Sequence, residues 1–252
     1  MTNKNGLILW EGVSAIDGVT PIVAIATGFD KPTKNEKLSK RGSKVIQVFY
    51  LLRDVPPHKA IKTGDDAAVC GDCKHRPALG GACYVVTFQA PLSVWKAYHR
   101  GSYAKWDGDA SIFAGRFVRF GAWGDPAAVP VGTFDSIRAA ANRVAAYTHQ
   151  WQDDRFAGLR AWAMASADSA KEHARARLAG WRSFRVRREG EPLLPGERQC
   201  PAADEAPTAG RMDCERCGGC NGLITGAKRP SFSLVVHGRD KAKFTNTQTT
   251  EG

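Results

Sequence analysis

Short apolar runs alternate along the chain with segments of helical periodicity. Runs of β-branched and aromatic residues predict strands, and apolar spacings of three and four predict helices. The predicted strands cover residues 7–10, 20–27, 44–53, 83–88, 116–123, 159–166, 181–186 and 231–237. The predicted helices cover residues 92–100, 133–146 and 169–180, and AYTHQW at 146–151 is expected to be extended. The last helix carries a capping box, Ser169 with Glu172, and a stop signal at Gly180.

The order of these elements indicates the fold class. Strands alternate with helices through residues 111–186, which is typical of parallel βαβ units. We therefore predict an α/β fold with a partial or complete TIM-like barrel of βα units. Residues 1–64 are predicted to form a β-rich N-terminal region with a β-hairpin and a basic hairpin loop. Residues 65–237 are predicted to form the barrel-like domain with Cys-rich metal-binding loops, and residues 238–252 a mobile polar tail.

Positive charge dominates the chain and one of its loops. The net charge is +11, with 36 Lys and Arg against 25 Asp and Glu. A basic segment between the second and third predicted strands reads GFDKPTKNEKLSKRGS, residues 28–43. It is either a solvated loop or a finger that touches phosphates. The overall charge favours a polyanionic partner, and we expect nucleic acid.

The chain lacks the marks of a membrane or secreted protein. No stretch approaches the roughly 20 apolar residues of a spanning helix, and the first residues do not read as a secretion signal. We therefore expect a cytoplasmic protein without membrane contact. In that reducing compartment the seven cysteines indicate metal ligands or reactive thiols, and an odd number cannot all pair within one chain.

The segment DCERCGGC predicts a metal site. Cys214, Cys217 and Cys220 follow one another at a spacing of three. Tetrahedral zinc takes four Cys or His ligands, so a fourth is needed, and Cys200 and His237 are both candidates. His237 would favour zinc, whereas Cys200 would complete an all-thiolate set that an iron–sulfur cluster also accepts.

A second group lies in CGDCKHRPALGGACY. Cys70, Cys73, His75 and Cys83 form a plausible set of four zinc ligands. The alternative is an iron–sulfur cluster held by the three thiolates, with one position open to a small molecule. Zn²⁺ is thus the expected cofactor at both groups, with an iron–sulfur cluster as the alternative.

Candidate catalytic residues follow the predicted strands. Asp125, His149 and Asp168 stand at successive strand ends, where α/β folds collect their chemistry. An aspartate can act as nucleophile or general base, and a histidine as acid or base. Each also has a structural interpretation, such as a turn residue, a helix cap or a buried histidine.

A basic run follows the third strand end. Its positive residues, interleaved with Trp181 and Phe184, are expected either to be solvated or to bind a nucleic-acid backbone beside the catalytic mouth. The candidates are Lys171, Arg175, Arg182, Arg185 and Arg187.

The order of motifs CGDC…CYV, FGAWGDP, YTHQW, MASADS and CP…CERCGGC…VVH resembles a family of bacteriophage proteins with a Cys-rich, partial TIM-barrel-like architecture. The resemblance covers about residues 65–237. That family is remotely similar to the tRNA-guanine transglycosylases and their phage relatives that exchange guanine in DNA. This similarity implies structural zinc at Cys214, Cys217, Cys220 and His237, and two catalytic aspartates at Asp125 and Asp168. The radical S-adenosylmethionine group shares some ingredients, although Cys70, Cys73 and Cys83 depart from its C-x3-C-x2-C spacing.

Three functions remain open at this point. The leading hypothesis is a zinc-binding enzyme that modifies nucleic acid, by base exchange or another reaction on a base. The second is a non-catalytic, zinc-stabilised DNA- or RNA-binding protein of a phage or mobile element. The third is an iron–sulfur enzyme of the radical S-adenosylmethionine type.

Overall fold

The chain folds into a mixed α/β structure with two sheets. The computed structural model describes residues 5–223 and 229–244. The strands are β1 (Gly6–Val13), β2 (Pro21–Thr27), β3 (Ile46–Leu52), β4 (Ala104–Lys105), β5 (Phe117–Trp123), β6 (Arg143–Ala145), β7 (Tyr147–Thr148), β8 (Met164–Ala167), β9 (Ser183–Arg187), β10 (Glu197–Gln199) and β11 (Ser231–Val235).

The helices are short and connect the strands. They are α1 (Pro57–Thr63), α2 (Ala67–Cys70), α3 (Ala90–His99), α4 (Asp135–Ala140), α5 (Ala170–Leu178) and α6 (Cys214–Cys217). Helix α5 begins with the predicted cap, because the Ser169 hydroxyl accepts a hydrogen bond from the backbone N–H of Glu172 at 3.1 Å. In the part of the chain that the structure describes, no helix has the length and apolar character needed to cross a bilayer.

The first sheet has six strands in the order β4-β1-β2-β3-β5-β6. The β1–β2 and β2–β3 pairs are antiparallel, and β3, β5 and β6 run parallel to one another. Strand β2 is buried along five consecutive residues, Ile22 to Ala26, as expected for a central strand covered on both faces. The basic segment connects β2 to β3.

The second sheet has five strands in the order β10-β11-β9-β8-β7, all parallel. Only Ala146 separates β6 from β7, and its N–H donates to the carbonyl of Cys220 at 3.0 Å. The parallel direction therefore continues from one sheet into the other. Among the described residues the outer strands β4 and β10 do not pair, so the sheets form no closed barrel.

Two apolar clusters hold these layers together. The larger cluster is centred on β2, β3 and β5, with Tyr50, Phe113 and Phe120 fully buried. The smaller one, called the Cys220 core below, joins residues of β5 and β6 in the first sheet to residues of β8 and β11 in the second. It contains Leu38, Val45, Phe117, Ala145, Met164, Cys220 and Phe232, with Tyr147, Phe184 and Cys214 against it.

One predicted element is wrong and two are wrong in part. Residues 83–88 form no strand; they run irregularly into a turn before α3. The predicted helix 133–146 stops at Ala140, because Ala141 adopts an extended backbone and the next residues join the sheet as β6. The predicted strand 159–166 is shortened, since 3₁₀ turns extend to Ala161 and β8 starts only at Met164.

Candidate functional site

The ends of three strands bring the predicted catalytic residues together. Asp125 follows β5 of the first sheet, and His149 and Asp168 follow the parallel neighbours β7 and β8 of the second. The Asp125 carboxylate accepts a hydrogen bond from the backbone N–H of His149 at 2.7 Å. The Nε2 atom of His149 lies 3.8 Å from Oδ2 of Asp168. The strand-end residues thus form one cluster.

His75 completes this cluster from the loop that follows α2. Its Nε2 atom lies 2.8 Å from Oδ1 of Asp168, and its ring packs edge-on against His149 with centroids 6.2 Å apart. Phe244 stacks on the same ring at 5.4 Å with an interplanar angle of 23°. The side chain predicted to join the first cysteine group therefore contacts the strand-end aspartate.

The two histidines and Asp168 form a possible metal-ligand set. Among the described residues, theirs is the one group of three or more His, Cys, Asp or Glu ligand atoms within 4.8 Å of one another. The Nε2 atom of His149 is buried and has no hydrogen-bond partner. Two imidazole nitrogens and a carboxylate oxygen suit divalent transition metals, which bind them at about 2.0–2.2 Å. An ion between these atoms would satisfy the free nitrogen.

Electrostatics favour a charged pair between His75 and Asp168. Burial raises the pKa of Asp168, but the hydrogen bond from His75 and the nearby histidines outweigh it, so the pKa lies below its usual range. Burial lowers the pKa of His75, and the hydrogen bond to Asp168 again outweighs it, leaving the pKa raised. A metal ion bound here would replace the imidazolium proton as the positive charge beside the carboxylate.

Asp125 supports the site from behind. It is 4% exposed, and its two oxygens accept the backbone N–H groups of Ala127, at 2.9 Å, and His149. Burial raises the pKa of this carboxyl group. Both oxygens are engaged in fixing the turn that carries His149, and the expectation that Asp125 acts as nucleophile or base stays a prediction.

The loop that carries His75 is tied to α5. Lys74 forms an ion pair with Glu172 at 2.6 Å, next to the contact between His75 and Asp168. At the other end of the loop, the N–H of Cys83 donates to the carbonyl of His75 at 2.9 Å. The loop is therefore fixed against the strand ends at the position of its histidine.

Cys70, Cys73 and Cys83 lie beside this cluster. Burial raises the pKa of all three thiols, and the charges of Cys73 and Cys83 raise that of Cys70 further. The N–H of His75 donates to the Cys73 sulfur, and Asp168 raises the pKa of the same thiol. Binding a metal at these thiols would displace their protons.

Gly71 and Gln150 connect the two motifs CGDC and YTHQW. Gly71 has a φ of +54°, and a Cβ atom there would collide with the side-chain amide of Gln150. Trp151 donates its indole N–H to the carbonyl of Ser166 at 2.9 Å. The two residues that follow His149 thus contact the cysteine loop and β8.

The second cysteine group forms a separate site. Cys200, Cys214, Cys217 and Cys220 line one small cavity. His237, the other candidate for fourth ligand, stacks on Tyr84 with ring centroids 5.3 Å apart and does not line this cavity. The structure therefore places Cys200, and not His237, with the DCERCGGC cysteines.

The chain matches no protein-family model, no curated protein and no solved structure. Its function is therefore inferred from the chemistry of its own side chains.

Most of the predicted nucleic-acid surface is buried. Arg182, Arg185 and Arg187 are 4%, 2% and 8% exposed. Arg185 forms an ion pair with Glu197 at 2.8 Å, and the other two donate to neighbouring backbone carbonyls. This corrects the prediction for these three arginines, which serve the fold. Lys171 and Arg175 are exposed on α5.

Two features of the site were not predicted from the sequence. Phe244 falls in the predicted mobile tail, yet it is 8% exposed and covers His75. The last residues of that tail, 245–252, lie outside the described residues. The Lys74–Glu172 ion pair joins positions 98 apart, and no local pattern could have indicated it.

Proposed function

We propose that the chain is a metal-dependent enzyme that acts on a base of nucleic acid, with its metal held by His75, His149 and Asp168. The observation that carries the proposal is the buried, partnerless Nε2 of His149, which faces Asp168 beside the His75 nitrogen. A buried polar atom without a partner costs about 1–3 kcal/mol. A ligand that satisfies it is the simplest reason for its presence.

The donor set fits a catalytic metal better than a structural one. Three protein ligands leave a coordination position for water or substrate, whereas structural sites use four. When bound, such an ion polarises a substrate oxygen or lowers the pKa of a water molecule. The parallel run of strands supports interpreting the fold as a partial TIM-like barrel, in which active sites lie at the carboxyl ends of the strands.

The protein residues around the set hold it in place. Asp125 fixes the backbone of His149, and the Lys74–Glu172 pair holds the loop of His75 against α5. Phe244 forms an apolar wall on the His75 ring. We assign Asp125 a positioning role, and Asp168 the role of ligand in place of nucleophile.

The substrate class rests on charge and on depth. The net charge of +11 favours a polyanion, and the basic segment between β2 and β3 remains exposed at Lys31, Lys34 and Arg41. The metal set is half-buried to buried, so a base would have to leave its stack to reach it. Base exchange and other base modifications both remain within this proposal.

Metal stoichiometry tests the centre. We expect chelated wild-type protein to regain one more equivalent of Zn²⁺, Mn²⁺ or Fe²⁺ than a folded His149→Gln variant. His99→Gln is the matched control, because His99 lies on α3, where its Nε2 contacts the carbonyl of Arg53. Equal metal content in wild type and His149→Gln would overturn the metal assignment.

Product analysis tests the substrate class. Metal-loaded protein is incubated with single- and double-stranded DNA and RNA, and the nucleosides are examined by mass spectrometry. A modified or exchanged base that disappears in His149→Gln supports the proposal. Salt-sensitive binding with no product would instead support the non-catalytic binding protein.

An iron–sulfur enzyme is the second candidate. It is favoured by Cys70, Cys73 and Cys83, three thiols near enough for their charges to interact. Three thiolates leave one iron of a cluster open to substrate. Anaerobic reconstitution distinguishes the two functions: an iron and sulfide content that falls by one cluster in Cys73→Ser and is unchanged in His149→Gln favours the cluster.

A further inference from the structure

Four thiols surround one space on a face of the second sheet. Cys200 follows β10, Cys214 and Cys217 are the ends of α6, and Cys220 lies in the Cys220 core. Their cavity measures about 10 Å³ and is lined otherwise by small residues. The chain thus encloses four sulfurs in a site remote in sequence from the His–His–Asp set.

The spacing of these sulfurs exceeds that of a single zinc site. A Zn–S bond of about 2.3 Å places tetrahedral thiolates about 3.8 Å apart. Among the described residues, however, the His–His–Asp set is the one group of three such ligand atoms within 4.8 Å of one another. No three of the four sulfurs all lie within that distance of one another, so the set is wider than one tetrahedral zinc site.

A cation without a carboxylate partner faces this space from β5. Arg119 is half-buried and donates to the Tyr84 hydroxyl at 2.8 Å. It lies two residues after Phe117, on the same face of the strand, and Phe117 packs in the Cys220 core. Among the described residues, no carboxylate lies within 4.0 Å of its guanidinium.

A second cation, Arg182, directly precedes β9. The Arg182 guanidinium is buried and lies 5.7 Å from the ring centre of Phe232, another member of the Cys220 core. It donates to the carbonyls of Pro230 and Asn221. It too lacks a carboxylate partner within the described ranges. Buried charges are normally paired. Arg119 is near enough to Cys214, and Arg182 to Cys220, for their charges to interact, so an anionic centre at these sulfurs would balance both arginines.

We propose that Cys200, Cys214, Cys217 and Cys220 bind an iron–sulfur cluster whose negative charge is balanced by Arg119 and Arg182. Four thiolates satisfy such a cluster, and their wider spacing suits it better than one zinc ion. With all four protein ligands in place the centre is closed, and it stabilises the structure or carries electrons without binding substrate. It is independent of the His–His–Asp proposal.

The cluster would also fix the basic segment. The N–H of Cys214 donates to the carbonyl of Lys37 at 2.9 Å, and that of Glu215 to the carbonyl of Leu38 at 3.0 Å. Asp213 accepts the N–H of Lys40 at 2.9 Å. Loss of the cluster should therefore loosen residues 37–40 and expose them to trypsin.

Iron and sulfide content tests the ligand set. The protein is purified and reconstituted anaerobically in a Cys73→Ser background, so that the other thiol group does not contribute. We expect iron, sulfide and a visible chromophore, all lost in Cys200→Ser and retained in His237→Gln. Chelation of the unaltered protein, followed by trypsin, gives the same answer if Cys200→Ser does not fold.

The reduction potential tests the role of Arg119. Reduction adds negative charge to the centre, so Arg119→Met should lower the midpoint potential, and Arg119→Lys should restore most of it. Tyr84→Phe, which removes only the hydrogen bond to Arg119, should leave the potential unchanged. Colourless protein with one zinc at this site overturns the cluster, and an unchanged potential in Arg119→Met overturns the charge balance.

Discussion

Replacing Glu197 with alanine tests whether the arginines of β9 serve the fold. The Glu197 side chain is fully buried and accepts hydrogen bonds from Nε and Nη2 of Arg185 at 2.8 and 2.9 Å. Arg185 is itself 2% exposed. Without Glu197, the guanidinium retains the carbonyl of Pro192 and, at 3.7 Å, the carboxylate of Glu191. A buried positive charge would thus lose its main partner.

The expected loss of stability in Glu197→Ala is large because the charge of Arg185 remains buried. Removal of one partner from a buried ion pair costs about 3–5 kcal/mol. For a domain of this size, each kcal/mol lowers the Tm by about 2–4 °C, so we expect a decrease of roughly 6–20 °C in Glu197→Ala. Arg188, exposed at the end of the same strand, provides the control. Its replacement by alanine should change stability by less than about 0.5 kcal/mol.

The assay combines stability with binding. Urea unfolding is followed by tryptophan fluorescence, and nucleic-acid affinity is measured on the same variants at one salt concentration. The double variant Arg185→Met/Glu197→Leu should recover most of the stability, because both charges are removed together. The reasoning is refuted if Glu197→Ala unfolds at the wild-type urea concentration. It is equally refuted if Arg185→Met keeps full stability and weakens nucleic-acid binding.

Three further predictions concern a glycine, a carboxylate and a histidine. Gly71→Ala should lower the free energy of unfolding in urea by more than about 1 kcal/mol, because Gly71 has a positive φ and lies against the Gln150 amide. Gly80→Ala is the control, since Gly80 has a positive φ but open space around it, and its loss should be smaller. Equal losses in the two variants would contradict the packing argument. Asp125→Ala should lower stability by about 1–3 kcal/mol and weaken metal binding through His149; unchanged metal affinity would remove its positioning role. Burial lowers the pKa of His173 in the folded chain. In the unfolded chain the histidine titrates near about 6.5, so it takes up a proton there first. The stability contributed by the neutral, buried His173 is therefore lost as the pH falls below that value. His173→Asn should flatten the pH dependence of unfolding between about pH 7 and 5, and an unchanged slope would contradict the sign.

Local signals predicted the elements whose stability is local. The Ser169 cap of α5 was confirmed, since a cap depends on residues three apart, whereas the Glu172 carboxylate accepts the N–H of Asp168. The prediction that His149 and Asp168 lie close together at neighbouring strand ends was confirmed, because parallel neighbours share their carboxyl edge. The predicted helix 133–146 was wrong in part. Its many alanines favour a helix, but its last residues pair with β5 as strand β6.

Long-range pairing decided what the sequence did not show. The arginines of β9 looked like a surface run, but Glu197 reaches Arg185 only when β11 lies between β9 and β10. The choice between Cys200 and His237 depended on which loop faces the Cys220 core. Phe244 offered no periodic pattern at all. In each case the deciding contact joins segments that only the sheet order brings together.

The distance along the chain between the site residues has a consequence for handling the protein. His75 and Asp168 are 93 positions apart, and folds dominated by such non-local contacts form slowly. In the folded chain burial raises the pKa of Cys70, Cys73 and Cys220, which suppresses their reactive thiolates. In the unfolded chain the same thiols titrate near about 8.5. Oxidation therefore threatens the nascent or refolding chain more than the finished one, and a reductant matters most before the strands have paired.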